Sequence, residues 1–240
     1  MMKCRLIAVS LFVGLMSAHA ARSDDAILSL ATQSGTPVVD DDFTRDEIAP
    51  WQAKIPTFLI RDDVLVGRQT RDDHGAVGAI PVDYENAVIA FRFRLEGTKT
   101  FNVVSDDKLY KGSHAGHIWR VAVAPTQIRL GDDKEGIMRN DIFEMRRDPA
   151  RKAAADKLIE DRGAVFKRKI DQHRWYTMLI AVRGNELTVE LDGEEVGRLT
   201  SPGIAHQTKR SVHFTVTGGD ALFDDVQVWR LPTATTETVP

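Results

Sequence analysis

The sequence predicts an all-β protein, a jelly-roll β-sandwich built from two antiparallel sheets. Apolar residues recur at every second position in many short runs, and Gly-Asn or Asp-Gly turn sequences separate some of these runs. A period of two is typical of strands that bury one face, and many short strands joined by tight turns are typical of stacked antiparallel sheets. One helix, near residues 149–161, is the expected exception.

The clearest predicted strand is 88–95, in which Ile89, Phe91, Phe93 and Leu95 alternate with alanine and arginine. This alternation predicts a half-buried strand whose arginines face outward. The other predicted strands are 57–66, 101–105, 117–124, 127–130, 164–170, 175–183, 186–191, 195–199, 211–217 and 222–231.

Two tight turns join neighbouring strands. Gly184-Asn185 links the strand 175–183 to the next, and Asp192-Gly193 links that strand to 195–199. Because Asp-Gly between alternating runs favours a two-residue turn, these three strands are predicted to form consecutive hairpins.

The predicted helix begins at Pro149, with Asp148 as its cap, and contains good helix formers such as Ala153, Ala154 and Leu158. Proline is tolerated in the first turn, where its missing N–H has no helical partner. Few of these residues are apolar, so the sequence predicts a solvated helix at the rim of the sandwich.

The N-terminal residues 1–20 are predicted to be a signal peptide. Lys3 and Arg5 precede an apolar run at 6–16, and Ala18-His19-Ala20 matches a cleavage site. The run is too short to span a bilayer. Cys4, the one cysteine, lies inside this leader, so we expect a secreted or periplasmic protein with no disulfide, no lipid anchor and no membrane span after cleavage.

The predicted domain organisation after the leader is a flexible segment at 21–37, one jelly-roll domain at 38–231 and a flexible tail at 232–240. The formal net charge of the whole chain is −3, and charges of both signs are interspersed. A protein of this charge distribution is not expected to bind nucleic acid.

The segment 190–195 matches the E-x-D-x-x-E pattern that laminarinase-like glycosidases carry on one strand. Those enzymes need two carboxyl groups about 5 Å apart on a rigid surface. Here Asp192 belongs to the predicted turn, which separates Glu190 from Glu195 onto different strands. We therefore interpret the match as coincidental.

The segment 113–120 contains the first group of candidate site residues. His114 and His117 are predicted catalytic residues, and Trp119 and Arg120 are predicted to bind substrate, because these side chains can stack on a sugar and hydrogen-bond to it. Alternation places Trp119 equally well in the core. A zinc site at His114 and His117 is the less favoured alternative, since no third ligand lies nearby in the sequence.

Other polar loops supply the remaining candidates. Asp132 and Asp133 are predicted catalytic carboxylates, and Lys134, His74 and His206 are predicted to bind substrate if their loops converge on one cleft. An ordinary solvated loop is the alternative for each.

Aspartates near both ends suggest a structural calcium. Asp42 belongs to Asp40-Asp41-Asp42-Phe43 near the start, and Asp225 belongs to Phe223-Asp224-Asp225-Val226 near the finish. Terminal strands of jelly rolls often lie side by side. Clustered carboxylates are stabilised by a hard cation such as Ca²⁺. The alternative is that these aspartates are turn formers and solvated edge charges.

Several motifs follow one another along nearly the whole chain after the leader. They are Asp41-Asp42-Phe43 with Trp51 after it, Ile60-Arg61-Asp62-Asp63-Val64-Leu65, the strand of Phe91, the hairpin Val189-x-Leu191-Asp192-Gly193 and Phe223-Asp224-Asp225-Val226-Gln227-Val228-Trp229. In these motifs the chain resembles the concanavalin A-like domain labelled 3-keto-disaccharide hydrolase, formerly a domain of unknown function.

The resemblance implies an exported carbohydrate-active protein that hydrolyses a glycosidic bond, with an oligo- or polysaccharide as partner. The shared motifs are strands and turns, which specify a fold more than a reaction. Two alternatives therefore stay open: a glycan-binding module without catalysis, and a structural or interaction protein of the cell envelope.

Overall fold

The computed structural model describes residues 24–233. Its helices are α1 (Asp24–Ser34), α2 (Asn140–Arg147) and α3 (Lys152–Leu158). Its strands are β1 (Thr36–Asp41), β2 (Gln52–Ile55), β3 (Phe58–Arg61), β4 (Val64–Gly67), β5 (Ala76–Tyr84), β6 (Asn86–Asp106), β7 (His117–Ala124), β8 (Gln127–Asp132), β9 (Gly163–Lys167), β10 (Trp175–Arg183), β11 (Glu186–Leu191), β12 (Glu194–Thr200) and β13 (Lys209–Leu231).

The predicted fold class is confirmed, because the chain forms an antiparallel jelly-roll sandwich. The two longest strands, β6 and β13, pair with each other along almost their whole length and belong to both layers. The back layer has the order β12-β11-β10-β6-β13, with β4 and β1 beside β13 and β3 beside β4. The front layer has the order β2-β5-β13-β6-β7-β8-β9.

The paired strands β6 and β13 bend near their middle and pass there from the back layer into the front layer. Gly97 and Gly218 have φ angles of 75° and 89°, a region that side chains disfavour. The register of the pair shifts at this point, and a Cβ atom on Gly219 would lie 2.4 Å from the carbonyl oxygen of Glu96. The close approach of the two backbones therefore requires glycine.

The core between the layers is rich in phenylalanine. Phe93 and Phe101 lie in β6 on opposite sides of the bend, and their ring centroids are 4.9 Å apart. Phe91 contacts Phe214 at 5.2 Å. All these rings are buried, so aromatic packing holds the folded-over sheet together.

The structure corrects the prediction of a loose segment at 21–37. Residues 24–34 form α1, and β1 starts at Thr36. Ala31 of α1 is buried against the outer surface of the back layer, together with Val88, Leu179 and Trp229. The predicted signal peptide at 1–20, and residues 234–240 of the predicted tail, lie outside the described residues.

The prediction of one helix at 149–161 is also incomplete. Helix α3 lies inside that range, but α2 precedes it, and the two form a helical hairpin with its own small apolar cluster of Ile142, Ala155 and Ile159. In the part of the chain that the structure describes, no helix is long and apolar enough to cross a membrane.

Candidate active site

The outer face of the front layer carries a cleft. In β13, Val212, Phe214 and Val216 point into the core, so alternation sends His213 and Thr215 to the outer face. Side chains of β5, β6 and β7 complete a cavity of about 450 Å³. Most of its wall is made of regular strands, which position side chains more rigidly than loops do.

Asp106, the last residue of β6, lies on the floor of this cavity between two histidines. Its Oδ1 is 2.5 Å from Nδ1 of His117 in β7, and its Oδ2 is 3.1 Å from Nδ1 of His213 in β13. The register of β6 and β7 shifts between Ser105 and Asp106, and this shift places Asp106 directly opposite His117. We call these three residues the Asp106 cluster.

Burial and charge set the protonation of the cluster. Burial by itself would raise the pKa of Asp106, but the hydrogen bonds from His117 and His213 hold it far below its usual range. Burial lowers the pKa of His213, and the neighbouring carboxylate offsets this only in part. Asp106 is therefore an anion, and His213 favours its neutral form.

Lys108 adds a positive charge to the same carboxylate. Its Nζ is 2.9 Å from Oδ2 of Asp106, while 62% of its side chain is exposed. An exposed lysine has many conformations of similar energy, so the Lys108 ammonium group can move away and another cation can take its place beside Asp106.

His114 lies on the wall of the same cavity. The ring centroids of the two histidines are 6.4 Å apart. The imidazole of His114 stacks on Phe143 of α2 at 4.0 Å, and burial lowers its pKa. Helix α2 thus supports the wall of the cleft through His114.

A second acidic group lies next to the cluster. Asp107 accepts hydrogen bonds from Thr208 and Arg210, and its Oδ2 is 3.0 Å from Nε2 of His206. These contacts outweigh burial and lower the pKa of Asp107 to about 2. His206 is therefore engaged with Asp107, whereas Arg210 also lines the cleft.

A separate hollow of about 550 Å³ lies beneath α2 and α3. Asn102, which lines this hollow, donates a hydrogen bond to Thr215, which lines the cleft. Arg120 of β7 lies on the floor of the hollow and donates through Nε and Nη2 to Oδ2 of Asp133, at 3.0 and 2.7 Å. Arg129 of β8 is exposed in the same hollow. The predicted residues Arg120 and Asp133 thus lie beside the cleft but form an ion pair with each other.

The structure contradicts the roles predicted for two residues. Trp119 is fully buried in the core, so it cannot stack on a substrate. Asp132 is also buried, and it accepts hydrogen bonds from Oγ of Ser201 at 2.6 Å and from the backbone N–H groups of Gly203 and Glu135. With these contacts Asp132 stabilises loops, and it borders the hollow beneath α2 and α3 instead of the cleft.

The other predicted substrate-binding residues are divided between two places. His74 lines the cleft beside the Asp106 cluster. Lys134 lies over the ring of Tyr110, with its Nζ 5.2 Å from the ring centroid, and does not line the cleft. His74 thus joins His114 and His117, and Lys134 does not.

The predicted calcium ligands are engaged with other groups. Asp42 accepts hydrogen bonds from the backbone and hydroxyl of Thr44, and Asp225 forms an ion pair with Arg92 at 3.1 Å. Within residues 24–233, the group of three or more side chains placed to hold a metal ion is the Asp106 cluster. The cleft therefore offers a candidate metal site besides the calcium site predicted at the terminal strands.

The E-x-D-x-x-E segment lies in the back layer. Asp192 and Gly193 form the predicted turn, with φ angles of 47° and 81°, and Glu190 pairs with Glu195 across it. Glu190 is buried. Its neighbours Val189 and Leu191 belong to the core between the layers, so alternation directs the Glu190 side chain to the opposite face of the back layer. Its carboxylate is thus separated from the cleft by the whole sandwich.

Sequence reasoning missed Asp106 and His213. A single histidine at an outward position of the strand 211–217 was the available signal, since a buried apolar residue stands on either side of it. Its pairing with Asp106 depends on the long-range register of β6 and β13, which local alternation does not specify.

Two kinds of chemistry suit the Asp106 cluster. A carboxylate that orients an imidazole supports proton transfer, with histidine as general acid or base. One carboxylate and two imidazoles that converge on one point also form a ligand set for a transition-metal ion.

No family model matches the chain, and no curated protein matches it in sequence. Solved structures match its fold. A non-specific endo-beta-1,3(4)-glucanase from family GH16 aligns with a TM-score of 0.55 and 10% identity, over 82% of this chain and 92% of that chain. The carbohydrate-binding module CBM66 from Bacillus subtilis aligns with a TM-score of 0.51 and 12% identity, over 75% and 94%.

A sialidase structure aligns with a TM-score of 0.55 and 11% identity, over 84% of this chain. The chain spans 19% of the length of that sialidase. At these identities the similarities show the fold alone, and the fold hosts both enzymes and a binding module.

Proposed function

We propose that this protein is carbohydrate-active and cleaves a glycosidic bond in the cleft of its front layer. The observation that carries the proposal is the position of Asp106, a buried carboxylate held between His117 and His213 at the floor of an open cavity. Convergent titratable groups in a cleft are the arrangement that a reaction site needs.

The cleft suits a sugar chain in shape and chemistry. Its cavity of about 450 Å³ has the size of a small-molecule site. Thr215 and Arg210 in the cleft present hydroxyl and guanidinium groups, and Asn102 in the hollow beneath α2 and α3 presents an amide; such groups bind sugar hydroxyls.

His117 is the member of the cluster that is best placed to meet a substrate. Its side chain is 16% exposed at the cavity floor, whereas that of His213 is 5% exposed. Asp106 fixes the orientation of both rings. We assign His117 to contact with the substrate, and Asp106 and His213 to the inner part of the site.

The resemblance to the 3-keto-disaccharide hydrolase domain makes 3-keto-glycosides the first substrates to test. The same resemblance and the predicted leader support export to the periplasm or the exterior. An exported location would place the cleft where oligo- and polysaccharides are found.

The test is incubation of the protein, from residue 21 onward, with a panel of oligo- and polysaccharides that includes 3-keto-glycosides. Release of reducing sugar by the natural protein, and loss of at least about 100-fold of that rate in Asp106→Asn, would support the proposal. Glu190→Gln is the matched control, because it alters a buried carboxylate in the back layer and should retain the activity.

Two results would contradict the proposal. Glycan binding detected by calorimetry without any product would favour a binding module instead. Neither binding nor product on any glycan of the panel would favour a structural protein of the cell envelope.

A further inference from the structure

We propose that Asp106, His117 and His213 bind one divalent transition-metal ion at the floor of the cleft. The ion would take an oxygen from the carboxylate and one nitrogen from each imidazole. Zn²⁺ is the probe we choose, because carboxylate and imidazole ligands both suit it.

The distances within the cluster are close to those of a chelate. The possible ligand atoms of the three residues all lie within 4.8 Å of one another, and two of the separations are 2.5 and 3.1 Å. Ligand bonds to Zn²⁺ are about 2.0–2.2 Å, so ligand atoms around one ion lie about 3–4 Å apart. Small side-chain shifts would therefore convert the cluster into a metal site.

The backbone holds the three ligands in advance. They come from β7, β6 and β13, which are hydrogen-bonded neighbours in the front layer, with β6 in the middle. Asp106 pairs with His117 in β7 and with Ser211 in β13. His213 follows Ser211 by two positions, with Val212 between them. Ligands on adjacent strands lose little conformational entropy when they bind an ion.

The ligand number indicates a catalytic type of site. Structural zinc sites have four protein ligands, whereas catalytic sites have three and leave a position open. The Asp106 cluster has three, and it faces the cavity of the cleft. His114 and His74 line the same cavity outside this group of three.

Lys108 is the natural competitor of the ion. Its ammonium group contacts the same carboxylate at 2.9 Å, and its exposed side chain can move into solvent when the ion binds. A positive charge beside a cation site weakens binding. Removal of this charge should therefore strengthen ion binding, an effect opposite to that of removing a ligand.

The use of the ion in a reaction rests on the proposed function. At the open position the ion would hold a water molecule or a sugar oxygen at the point where the cleft meets the cluster. Binding of the ion itself does not depend on that activity.

The experiment measures Zn²⁺ binding to the chelator-treated protein in the absence of any glycan. Isothermal titration calorimetry and metal analysis after dialysis should give one ion per chain. Affinity should fall about 100-fold or more in His117→Ala and Asp106→Asn. It should rise several-fold in Lys108→Met, whereas His173→Ala, at an exposed histidine outside the cleft, should bind like the natural protein.

A thermal-shift measurement covers variants that fold poorly. Zn²⁺ should raise the Tm of the natural protein and of His173→Ala, but not that of His117→Ala, whose partly exposed ring is the mildest ligand to remove. No bound ion, or equal affinity in the natural protein and His117→Ala, would overturn the proposal. Ion binding without glycan cleavage would leave this proposal standing and remove only the proposed function.

Discussion

Phe214 and Phe223 belong to the same strand, β13, yet their rings stack face to face with centroids 4.0 Å apart and planes at 1°. The bend at Gly218 lies between them and folds the strand back on itself. This stack therefore joins the front layer, which carries the Asp106 cluster, to the back layer.

Phe223→Ala should lower the free energy of unfolding by about 3–5 kcal/mol, because it opens a cavity in the centre of the core. Denaturant unfolding measures this loss. Leu109→Ala, at a position that is 68% exposed, is the control and should change stability by less than about 0.5 kcal/mol. Equal effects of the two substitutions would show that the aromatic stack does not stabilise the fold.

Asp107 should contribute to stability at neutral pH and lose that contribution in acid. Its pKa is lowered to about 2 in the folded protein, against about 3.9 in an unfolded chain, so the unfolded chain takes up the proton first as pH falls. The contribution, roughly 2 kcal/mol, is present above pH 4 and is lost as pH falls towards 2.

Asp107→Asn should accordingly be less stable than the natural protein at pH 6, and the difference should shrink below pH 4. Unfolding by urea at several pH values measures this convergence. Asp161→Asn, an exposed carboxylate 66% accessible to solvent, serves as the control. A stability difference that stays constant from pH 6 to 2.5 would contradict the assignment.

Lys209 should make stability rise with pH in the alkaline range. Burial lowers its pKa to about 8, while its Nζ donates to the carbonyl oxygens of Glu85 and His206. Between about pH 8 and 10 the unfolded chain holds this proton and the folded protein does not, so stability should rise with pH by up to about 1.4 kcal/mol per unit.

Lys209→Met should remove that rise, because methionine has no proton to lose. The slope of stability against pH, taken from urea unfolding between pH 8 and 10, is the quantity to compare. Lys169→Met is the control, since its side chain is 83% exposed. Identical slopes in the natural protein and Lys209→Met would be inconsistent with a buried, deprotonating lysine.

Phe143→Ala should change the titration of His114. Burial lowers the pKa of this histidine, and Phe143 covers one face of its ring at 4.0 Å. Removal of the phenyl ring admits water, so the pKa of His114 should rise towards its ordinary value. NMR titration of the histidine ring protons measures the change.

Leu158→Ala provides the comparison for Phe143→Ala, because Leu158 lies exposed on α3 of the same helical hairpin. The pKa of His114 should stay unchanged in this variant. If both variants shifted His114 equally, the helical hairpin as a whole, and not the Phe143 ring, would determine its environment.

The predicted strand bounds were most accurate where alternation and turn residues agree. Strands β7, β10 and β11 have the predicted bounds, since each ends at a turn or loop that the sequence marks, such as Gly184-Asn185. Strands β1, β2 and β5 were missed. In β5 the outward positions carry proline and small residues, which do not produce the polar alternation typical of a strand.

The long strands were predicted in halves for a physical reason. Polar residues and Gly97 interrupt the alternation of β6 at the bend, where the chain changes layers but continues its hydrogen bonds with β13. The site was predicted in part for the same reason. His114 and His117 are close in sequence, whereas Asp106 and His213 meet through a register that only the folded sheet defines.

The shared strands β6 and β13 have a consequence for unfolding. Because each is one continuous backbone that serves both layers, neither layer has a complete set of hydrogen-bonded neighbours without the other. Amide exchange at the floor of the cleft and at the centre of the back layer should therefore require the same global opening. The ligand-bearing strands share the opening free energy of the entire sandwich.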